Sequence, residues 1–393
     1  MTYKRREEFL PFAPPLIGEE EKREMLDTLD SGWITTGPKT ERFEGLFRDY
    51  VGAKHALALY SGTAALHLAV VASDIGPGDE VIVPTYTFAS TAHVVLHAGA
   101  TPVLVDVDPA TCNVTADLIA AAVTERTKAV IPVHFGGDPC ELAAIQQVAD
   151  SHNLKVIEDA AHAAGSTYHG KKIGGHGGIA CFSFYATKNM TTGEGGMLVC
   201  DNDEIAERAR ILSMYGIHDA RRIWKRYAPR GSWFYDIAEI GYKCNMMDIQ
   251  ASLGIHQLAK LDGFISRRAS FARRYSEAFA EVPEIWTPPH PPPERGHAWH
   301  LYPIRINPEL LKIGRDDFIE RLKEENIGVS VLFRPLHLHT AYKKTLGDMT
   351  GRFPVAESVF ERTISLPISP AMRDADVESV IAAVRHIVQE NRR

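Results

Sequence analysis

Residues 181 to 197 read Cys181-Phe-Ser-Phe-Tyr-Ala-Thr-Lys-Asn-Met-Thr-Thr-Gly-Glu-Gly-Gly-Met197. The segment begins as an apolar strand, passes through polar residues to Lys188, and ends in a glycine cluster before a second apolar run. Most lysines are solvated on protein surfaces. A lysine in this setting is predicted to lie in a desolvated pocket, where burial and a neighbouring cation lower the pKa of its amine and make it reactive.

The same alternation extends outward from this segment, from about residue 55 to residue 200. The predicted strands are His55–Tyr60, Glu80–Pro84, Pro102–Asp106, Lys128–Val133, Lys155–Asp159, Ile179–Phe184 and Gly196–Cys200. Their valine and isoleucine content, without polar alternation, is typical of strands buried on both faces of a mostly parallel sheet. Segments with helical spacing lie between them at Ala64–Ala72, Ala89–Ala98 and Ala116–Ala122. This alternation predicts an α/β fold with right-handed crossovers.

The pattern changes after Cys200. Helices are predicted over Asp203–Met214, Asp248–Leu261 and Phe264–Phe279, before a run with five prolines in six residues at Pro288–Pro293, which marks a domain boundary. Beyond it the sequence predicts a strand near Ala298–Arg305, a helix near Asp316–Glu325, a strand near Gly328–Phe333 and a last helix from Asp374. A chain of 393 residues is expected to form two domains, the second a small α+β domain.

Composition excludes several classes of partner. The net charge of −7 without a basic block argues against nucleic acid and anionic membranes as main partners. No apolar run reaches the roughly 18 to 20 residues of a membrane span, so a cytoplasmic location is expected. The five cysteines are scattered and odd in number, and His297 and His300 belong to no metal-binding pattern, so neither a disulfide framework nor a metal site is predicted.

Ligands of open α/β sheets bind beyond the carboxyl ends of the strands. The polar segments that follow the predicted strands are Ser61-Gly62-Thr63, Thr85-Tyr86-Thr87-Phe88, Asp106, His134, Asp159 with His162, and Ser183 to Lys188. These residues therefore form the candidate site.

Two of these segments allow two interpretations each. Ser61-Gly62-Thr63-Ala64 could bind phosphate at a helix N-terminus, or it could be an ordinary helix cap. Asp159 could bind the protonated ring nitrogen of a pyridoxal cofactor, whose pyridinium is an electron sink, or it could cap a helix beginning at Ala160.

Several ordered motifs resemble one enzyme family. They are Ser31–Pro38, Ser61–Leu66, Gly78–Pro84, Glu158–His162, Phe182-Ser-Phe, Lys188 with Glu194-Gly-Gly196, and Gly241–Asp248. The chain resembles the DegT/DnrJ/EryC1/StrS family of sugar-nucleotide aminotransferases, which have the fold-type I architecture of pyridoxal-phosphate (PLP) enzymes. Trp33–Pro38, Thr191–Gly196 and His297–His300 are most similar to UDP-4-amino-4-deoxy-L-arabinose-type enzymes, which aminate the 4-keto group of UDP-linked sugars.

The resemblance implies an architecture and an assembly. Residues 1–30 would be an N-terminal segment packing with the small domain, residues 31–260 a large PLP-binding domain with a seven-stranded sheet, and residues 261–393 the small C-terminal domain. It further implies a homodimer with shared active sites, a nucleotide-sugar substrate and an amino-acid donor, for which the resemblance points to L-glutamate.

Roles carry over residue by residue. Lys188 looks like the lysine that holds PLP as a Schiff base and moves the proton. The expected cofactor contacts are Asp159 at the ring nitrogen, His162 near the ring, Phe88 stacked on it, and Gly62, Thr63, Ala64 and Ser183 at the phosphate. Asn245 matches a residue lent to the neighbouring subunit, although with Asp248 it also reads as a helix-capping pair. Thr35, Thr36, His300, Arg334 and the loop Tyr215–Asp236 are candidates for the substrate site.

Two alternatives remain at this stage. Dehydratases of the same family carry histidine in place of the lysine, so Lys188 favours transamination. A nucleotide-binding oxidoreductase is weakly supported, since Gly174-Gly-His-Gly-Gly178 lacks the G-x-G-x-x-G spacing between a strand and a helix, and no P-loop is present.

Overall fold

The fold is described from a computed structural model that covers residues 5–218 and 235–393. The predicted seven-stranded sheet is confirmed. Its strands in chain order are β1 His55–Leu59, β2 Glu80–Pro84, β3 Thr101–Val105, β4 Thr127–Val130 and β5 Lys155–Asp159, then, after a hairpin of β6 Thr167–Tyr168 and β7 Lys171–Lys172, β8 Ile179–Ser183 and β9 Gly196–Cys200. The spatial order is β1-β9-β8-β5-β4-β2-β3, and only β9 runs antiparallel to its neighbours.

Helices cover both faces of this sheet, which explains why its strands lack polar alternation. The first seven are α1 Glu19–Asp30, α2 Pro38–Val51, α3 Gly62–Ala72, α4 Ser90–His97, α5 Ala116–Ala122, α6 Leu142–His152 and α7 Asp203–Ser213. One core contains side chains of α3, α4 and α7, and the other contains those of α2, α5 and α6. The sheet is therefore the middle layer of three.

A single 32-residue helix, α8 (Asp248–Phe279), replaces the two helices predicted over Asp248–Leu261 and Phe264–Phe279. The break expected at Asp262-Gly263 does not occur. Glycine inside a helix costs about 1 kcal/mol, and this cost is small beside the apolar face that continues through Leu261 and Phe264. The predicted boundary between residues 260 and 261 lies inside this helix, and the domain limits remain a prediction.

The C-terminal part has α+β character. Strands β10 Ile285–Trp286, β12 Tyr302–Ile306 and β13 Thr363–Leu366 form an antiparallel sheet, while β11 Arg295–Gly296 pairs with β6. The helices are α9 Arg315–Glu324, α10 Thr340–Leu346, α11 Pro354–Arg362 and α12 Asp374–Asn391. The proline run 288–293 has neither helix nor strand, as predicted.

Two strand predictions in this part need correction. β12 begins four residues later than Ala298, because Ala298 and Leu301 donate their amides to Gly137 and Gly136 instead of to the sheet. No strand forms over Gly328–Phe333, where Ser330 makes a single bridge to Ser365, and a second bridge joins Ile327, just before this range, to Leu10. The chain leaves the sheet there because Leu332 and Phe333 line a cavity instead of pairing with a strand.

The N-terminal segment contacts both parts of the molecule. Leu10 pairs with Ile327, and Arg6 forms a 2.9 Å ion pair with Asp376 of α12. Further along, Glu21 of α1 binds Lys260 of α8 at 2.8 Å. Among the helices of residues 5–218 and 235–393, none is long and apolar enough to cross a bilayer.

Candidate active site

A cavity of about 320 Å³ opens at the carboxyl ends of β5 and β8. Eight of the residues to which the sequence analysis assigns an individual role line it: Gly62, Thr63, Phe88, Asp159, His162, Ser183, Lys188 and His300. Residues from distant parts of the chain thus meet where an open α/β sheet binds its ligands.

Lys188 lies on a turn that follows β8. Its backbone N–H donates to the Tyr185 carbonyl at 2.9 Å, and the next residue, Asn189, donates from Nδ2 to the Ala298 carbonyl at 2.8 Å. Burial lowers the pKa of the Lys188 amine to about 8, against an opposing effect of the Asp159 carboxylate. About half of the amine is therefore in its neutral, nucleophilic form at pH 8.

Asp159 is buried at the end of β5 and faces the same cavity. Its carboxylate accepts from Thr91 Oγ1 at 2.8 Å and from the Ala161 N–H at 3.1 Å. Burial raises the pKa of Asp159, while these hydrogen bonds and the cation of Lys188 act in the opposite direction. A buried carboxylate with two protein donors has capacity left to accept from a protonated ring nitrogen.

The helix beginning at Ala160, which the alternative interpretation of Asp159 requires, does not form. Residues 160–166 make turns, because the Ala160 N–H donates to the Cys181 carbonyl of the neighbouring strand. Gly165 has φ +86° in these turns, and a Cβ there would lie 2.2 Å from Ile265 Cδ1. Asp159 is thus not a helix cap, and the cofactor interpretation of its carboxylate remains.

Two histidine rings meet in the cavity wall. The centroids of His162 and His300 are 4.4 Å apart, and His162 also stacks on Phe333 at 5.7 Å. Burial, assisted by the Lys188 cation, lowers the pKa of His162 well below its usual value, and burial does the same for His300. His162 Nδ1 accepts from the Gly136 N–H at 3.2 Å, so the neutral ring carries its proton on Nε2.

The N-terminus of α3 lies unusually close to the ends of β8 and β9. A Cβ on Gly62 would lie 2.9 Å from Ser183 Cβ, and a Cβ on Gly196 would lie 2.3 Å from the Ser61 backbone. Ser61 Oγ accepts from the Ala64 N–H at 3.1 Å, so the helix-cap interpretation holds for Ser61. The helix itself supplies no acceptor for the amides of Gly62 and Thr63, which border the cavity, whereas Ala64 is buried away from it.

The remaining predicted residues lie at or beyond the rim. Phe88 lines the cavity but is 61% exposed. Arg334 is exposed and donates to the Leu338 carbonyl at 3.0 Å. Thr35 is exposed and Thr36 accepts from Asn245 Nδ2, both outside this cavity. Most of the loop Tyr215–Asp236, namely residues 219–234, lies outside the described residues.

Asp248 does act as a helix cap, but for a different helix and without Asn245. Its buried carboxylate accepts from the backbone amides of Gly37, Lys39 and Thr40 and from the Thr40 hydroxyl, at distances of 2.6–3.0 Å. Asp248 therefore fixes the start of α2. Asn245 instead bonds to Lys243 and Thr36.

Sequence reasoning missed nine residues that line the cavity. They are Phe12, Leu66, Ser90, Val133, Ala161, Cys181, Glu194, Leu332 and Phe333. Cys181 and Glu194 lie within the segment that drew attention to Lys188, so their proximity was a usable signal. Phe12 and Phe333 arrive through long-range packing, for which the sequence carries no local pattern.

The residues present fit PLP. A desolvated lysine amine, a buried carboxylate and a helix N-terminus with free amides face one cavity, and these groups match the aldehyde, the ring nitrogen and the phosphate of that cofactor.

Comparison with known proteins agrees with this geometry. The sequence profile of the DegT/DnrJ/EryC1/StrS aminotransferase family matches residues 15–385. The chain is 56% identical to an uncharacterized protein of Methanocaldococcus jannaschii, over 98% of this chain and 100% of that protein. It is 50% identical to the spore coat polysaccharide biosynthesis protein SpsC of Bacillus subtilis, over 98% of each chain.

Solved structures give the same result. The putative sugar aminotransferase Spr1654 of Streptococcus pneumoniae, in its PLP form, superimposes with a TM-score of 0.89 at 36% identity, over 97% of this chain and 99% of that one. DesV of S. venezuelae, in complex with a ketimine intermediate, gives 0.87 at 34% identity with the same coverage. An oxidoreductase is therefore excluded. The chain belongs to the DegT/DnrJ/EryC1/StrS aminotransferase family and is a PLP-dependent sugar aminotransferase.

Proposed function

We propose that this sugar aminotransferase moves an amino group from L-glutamate to the C4 ketone of a UDP-linked keto sugar. The observation that carries the transfer is the presence of Lys188 and Asp159 in one cavity beside the N-terminus of α3. The UDP-4-keto-sugar specificity is supported by the resemblance of Trp33–Pro38, Thr191–Gly196 and His297–His300 to enzymes with that acceptor. Lys188 favours transamination over the dehydration carried out by relatives with histidine at this position.

The chain's own residues define how PLP would be held. Lys188 would carry it, Asp159 would accept from its ring nitrogen, and Phe88 would cover the ring. Its phosphate would bind the amides of Gly62 and Thr63 and the hydroxyl of Ser183. When bound, the cofactor supplies an electron sink for negative charge on the carbon that bears the amine.

Lys188 is the group that moves the proton. With a pKa lowered to about 8, its Nζ can take a proton from the amine-bearing carbon of the donor and return one to the carbon that receives the amine. His162 and His300, with pKa values well below the usual one, stay neutral and add no competing charge at neutral pH. The apolar rim of Phe12, Leu332 and Phe333 limits the access of water.

We further propose a homodimer in which Asn245 completes the neighbouring subunit's phosphate site. Asn245 does not border the cavity of its own chain. Its side chain donates to Thr36, whose carbonyl accepts from the ring of Trp33, and exposed apolar residues flank both positions in the chain: Trp33 is 40% exposed, Ile34 is 50% exposed and Met247 is 43% exposed. Exposed apolar side chains of this size that cluster on one surface are typical of a protein–protein interface.

Subunit complementation tests the shared site. Asn245→Ala and Lys188→Ala homodimers should each be inactive. A refolded mixture should regain activity, because one site of the heterodimer then combines Lys188 of one chain with Asn245 of the other. A mixture that stays inactive, although heterodimers form, would show that Asn245 acts elsewhere.

A spectral half-reaction tests the donor and the acceptor. L-glutamate should convert the absorbance of the PLP form into that of the pyridoxamine form, and a UDP-4-keto sugar should then restore it. Matched dTDP- and GDP-linked 4-keto sugars serve as controls. Restoration by one of these, and not by the UDP-linked sugar, would overturn the nucleotide assignment. The proposal places this reaction in the cytoplasm.

A further inference from the structure

His300 reaches the cavity on a turn with an unfavourable backbone conformation. The preceding residue, Trp299, has φ +49°, a left-handed value that bulky side chains rarely adopt. His297 Nδ1 accepts from the Trp299 N–H at 2.7 Å, and the two rings stack with centroids 4.0 Å apart. Such a conformation persists where the surroundings hold it, and here it fixes the ring of His300 next to that of His162.

A buried arginine of α8 donates hydrogen bonds to the backbone carbonyls of this turn. Arg268 is only 2% exposed, and its Nη1 lies 3.3 Å from the Trp299 carbonyl, 3.4 Å from the His300 carbonyl and 2.5 Å from the Ile368 carbonyl. Within residues 5–218 and 235–393 its acceptors are these carbonyls, and no carboxylate pairs with it. Burial lowers the pKa of Arg268 to about 10, so it remains a cation at neutral pH. A buried charge without a counter-ion is costly.

We propose that Arg268 is a positioning residue for the transfer reaction, which holds the Trp299–His300 turn so that His300 contacts the substrate beside Lys188. This inference rests on the function proposed above. Because the carbonyls of Trp299 and His300 share one guanidinium nitrogen, loss of Arg268 removes the hydrogen bonds by which α8 holds this turn.

The neighbouring residue offers a matched control. Arg267 Nη2 donates to the Met372 carbonyl at 2.5 Å and does not bind the turn. Both arginines thus tie α8 to the segment 368–372, but only Arg268 also ties it to His300. Loss of Arg267, which is exposed, therefore reports on the bond to the segment 368–372 alone.

A chemical probe tests the positioning without any substrate. Diethyl pyrocarbonate modifies neutral imidazole, and peptide mass spectrometry of the holoenzyme gives its rate at His300. Arg268→Met should raise that rate by about tenfold, as expected for local release of a turn. Arg268→Lys should restore part of the protection, and Arg267→Met should leave it unchanged. Equal rates at His300 in the wild type and in Arg268→Met would overturn the proposal.

A double-mutant cycle tests the catalytic consequence. With L-glutamate as the donor to the holoenzyme, Arg268→Met and His300→Ala should each lower the second-order rate constant of the half-reaction. The double variant should lose no more of this rate constant than His300→Ala alone, a coupling of about tenfold. Losses that multiply would show that Arg268 does not act through His300. A wild type inert to L-glutamate would instead contradict the proposed donor, and the modification rates would still decide the role of Arg268.

Discussion

Glu158 and Asp159 are neighbours in β5, yet their carboxylates serve opposite sides of the sheet. Glu158 accepts from the buried His134 at 2.9 Å, away from the cavity, and Asp159 accepts from Thr91 at 2.8 Å inside it. The alternation of side chains along a strand separates them. Glu158 therefore contributes to the packing of the core, and Asp159 faces the cavity in which the reaction is proposed to take place.

Asp159→Asn should lower the rate of the L-glutamate half-reaction by about a hundredfold or more, the scale of losing a preorganised electrostatic contact. An amide is isosteric but cannot hold a ring nitrogen in its protonated state. The rate is measured by stopped-flow absorbance on protein saturated with PLP.

Glu158→Gln is the control for that change. It should leave the half-reaction within a few-fold of wild type, yet lower the free energy of unfolding by about 1–3 kcal/mol, because His134 loses a charged partner. Equal kinetic losses at positions 158 and 159 would contradict the separation of the two roles.

The pKa of Lys188 predicts how the apoenzyme takes up PLP. Only the neutral amine attacks the aldehyde, and the pKa is lowered from 10.5 to about 8. The second-order rate of reconstitution should therefore fall about tenfold per pH unit below pH 8 and level off above it. In Asp159→Asn the midpoint should shift further down, because the Asp159 carboxylate holds this pKa up. If the reconstitution rate still rose steeply above pH 9, the pKa of Lys188 would be that of a solvated lysine and this prediction would be wrong.

Gly62→Ala should weaken PLP binding by about tenfold or more, equivalent to ~1.4 kcal/mol. The added Cβ would lie 2.9 Å from Ser183 Cβ and push the N-terminus of α3 away from β8. Equilibrium dialysis of the apoenzyme against PLP gives the dissociation constant. Gly45→Ala, on α2 with no atom within 4 Å of the new Cβ, should leave binding unchanged and raise stability by about 0.5–1 kcal/mol. If Gly62→Ala bound PLP as tightly as the wild type, the phosphate would not bind at the N-terminus of α3.

Asp248→Ala should lower the free energy of unfolding by about 3 kcal/mol or more, because four donors at the start of α2 lose their buried acceptor. Urea denaturation at fixed protein concentration measures this. The exposed Asp30→Ala serves as reference and should change stability by less than about 0.5 kcal/mol. A small effect at position 248 would show that other contacts fix this helix.

Much of the large sheet was predictable because its signal is local. β2, β5 and β9 have the bounds that the sequence predicts, since each is a short apolar run enclosed by turn residues. The turn that carries Lys188 was recognisable because its polar residues lie between two such apolar runs. The α8 helix was divided wrongly, because a local glycine signal is weaker than the packing of a long buried face.

Long-range contacts explain what the sequence did not reveal. The alternative helix cap at Asp159 is ruled out by a long-range bond, since the Ala160 N–H donates to a carbonyl of β8 and the chain forms turns. Phe12 and Phe333 enter the cavity from segments with no motif of their own. Arg268 reads as an ordinary surface residue of a helix, and only the approach of the Trp299–His300 turn makes it a buried cation.

The central claim is that Lys188 carries the cofactor. Borohydride reduction of the holoenzyme, followed by peptide mass spectrometry, converts that linkage into a stable adduct and locates it. We predict a single phosphopyridoxyl group on Lys188, absent from Lys188→Ala and retained in Lys155→Ala, a change at the far end of β5. A stoichiometric adduct on any other lysine, or its persistence in Lys188→Ala, would contradict the account.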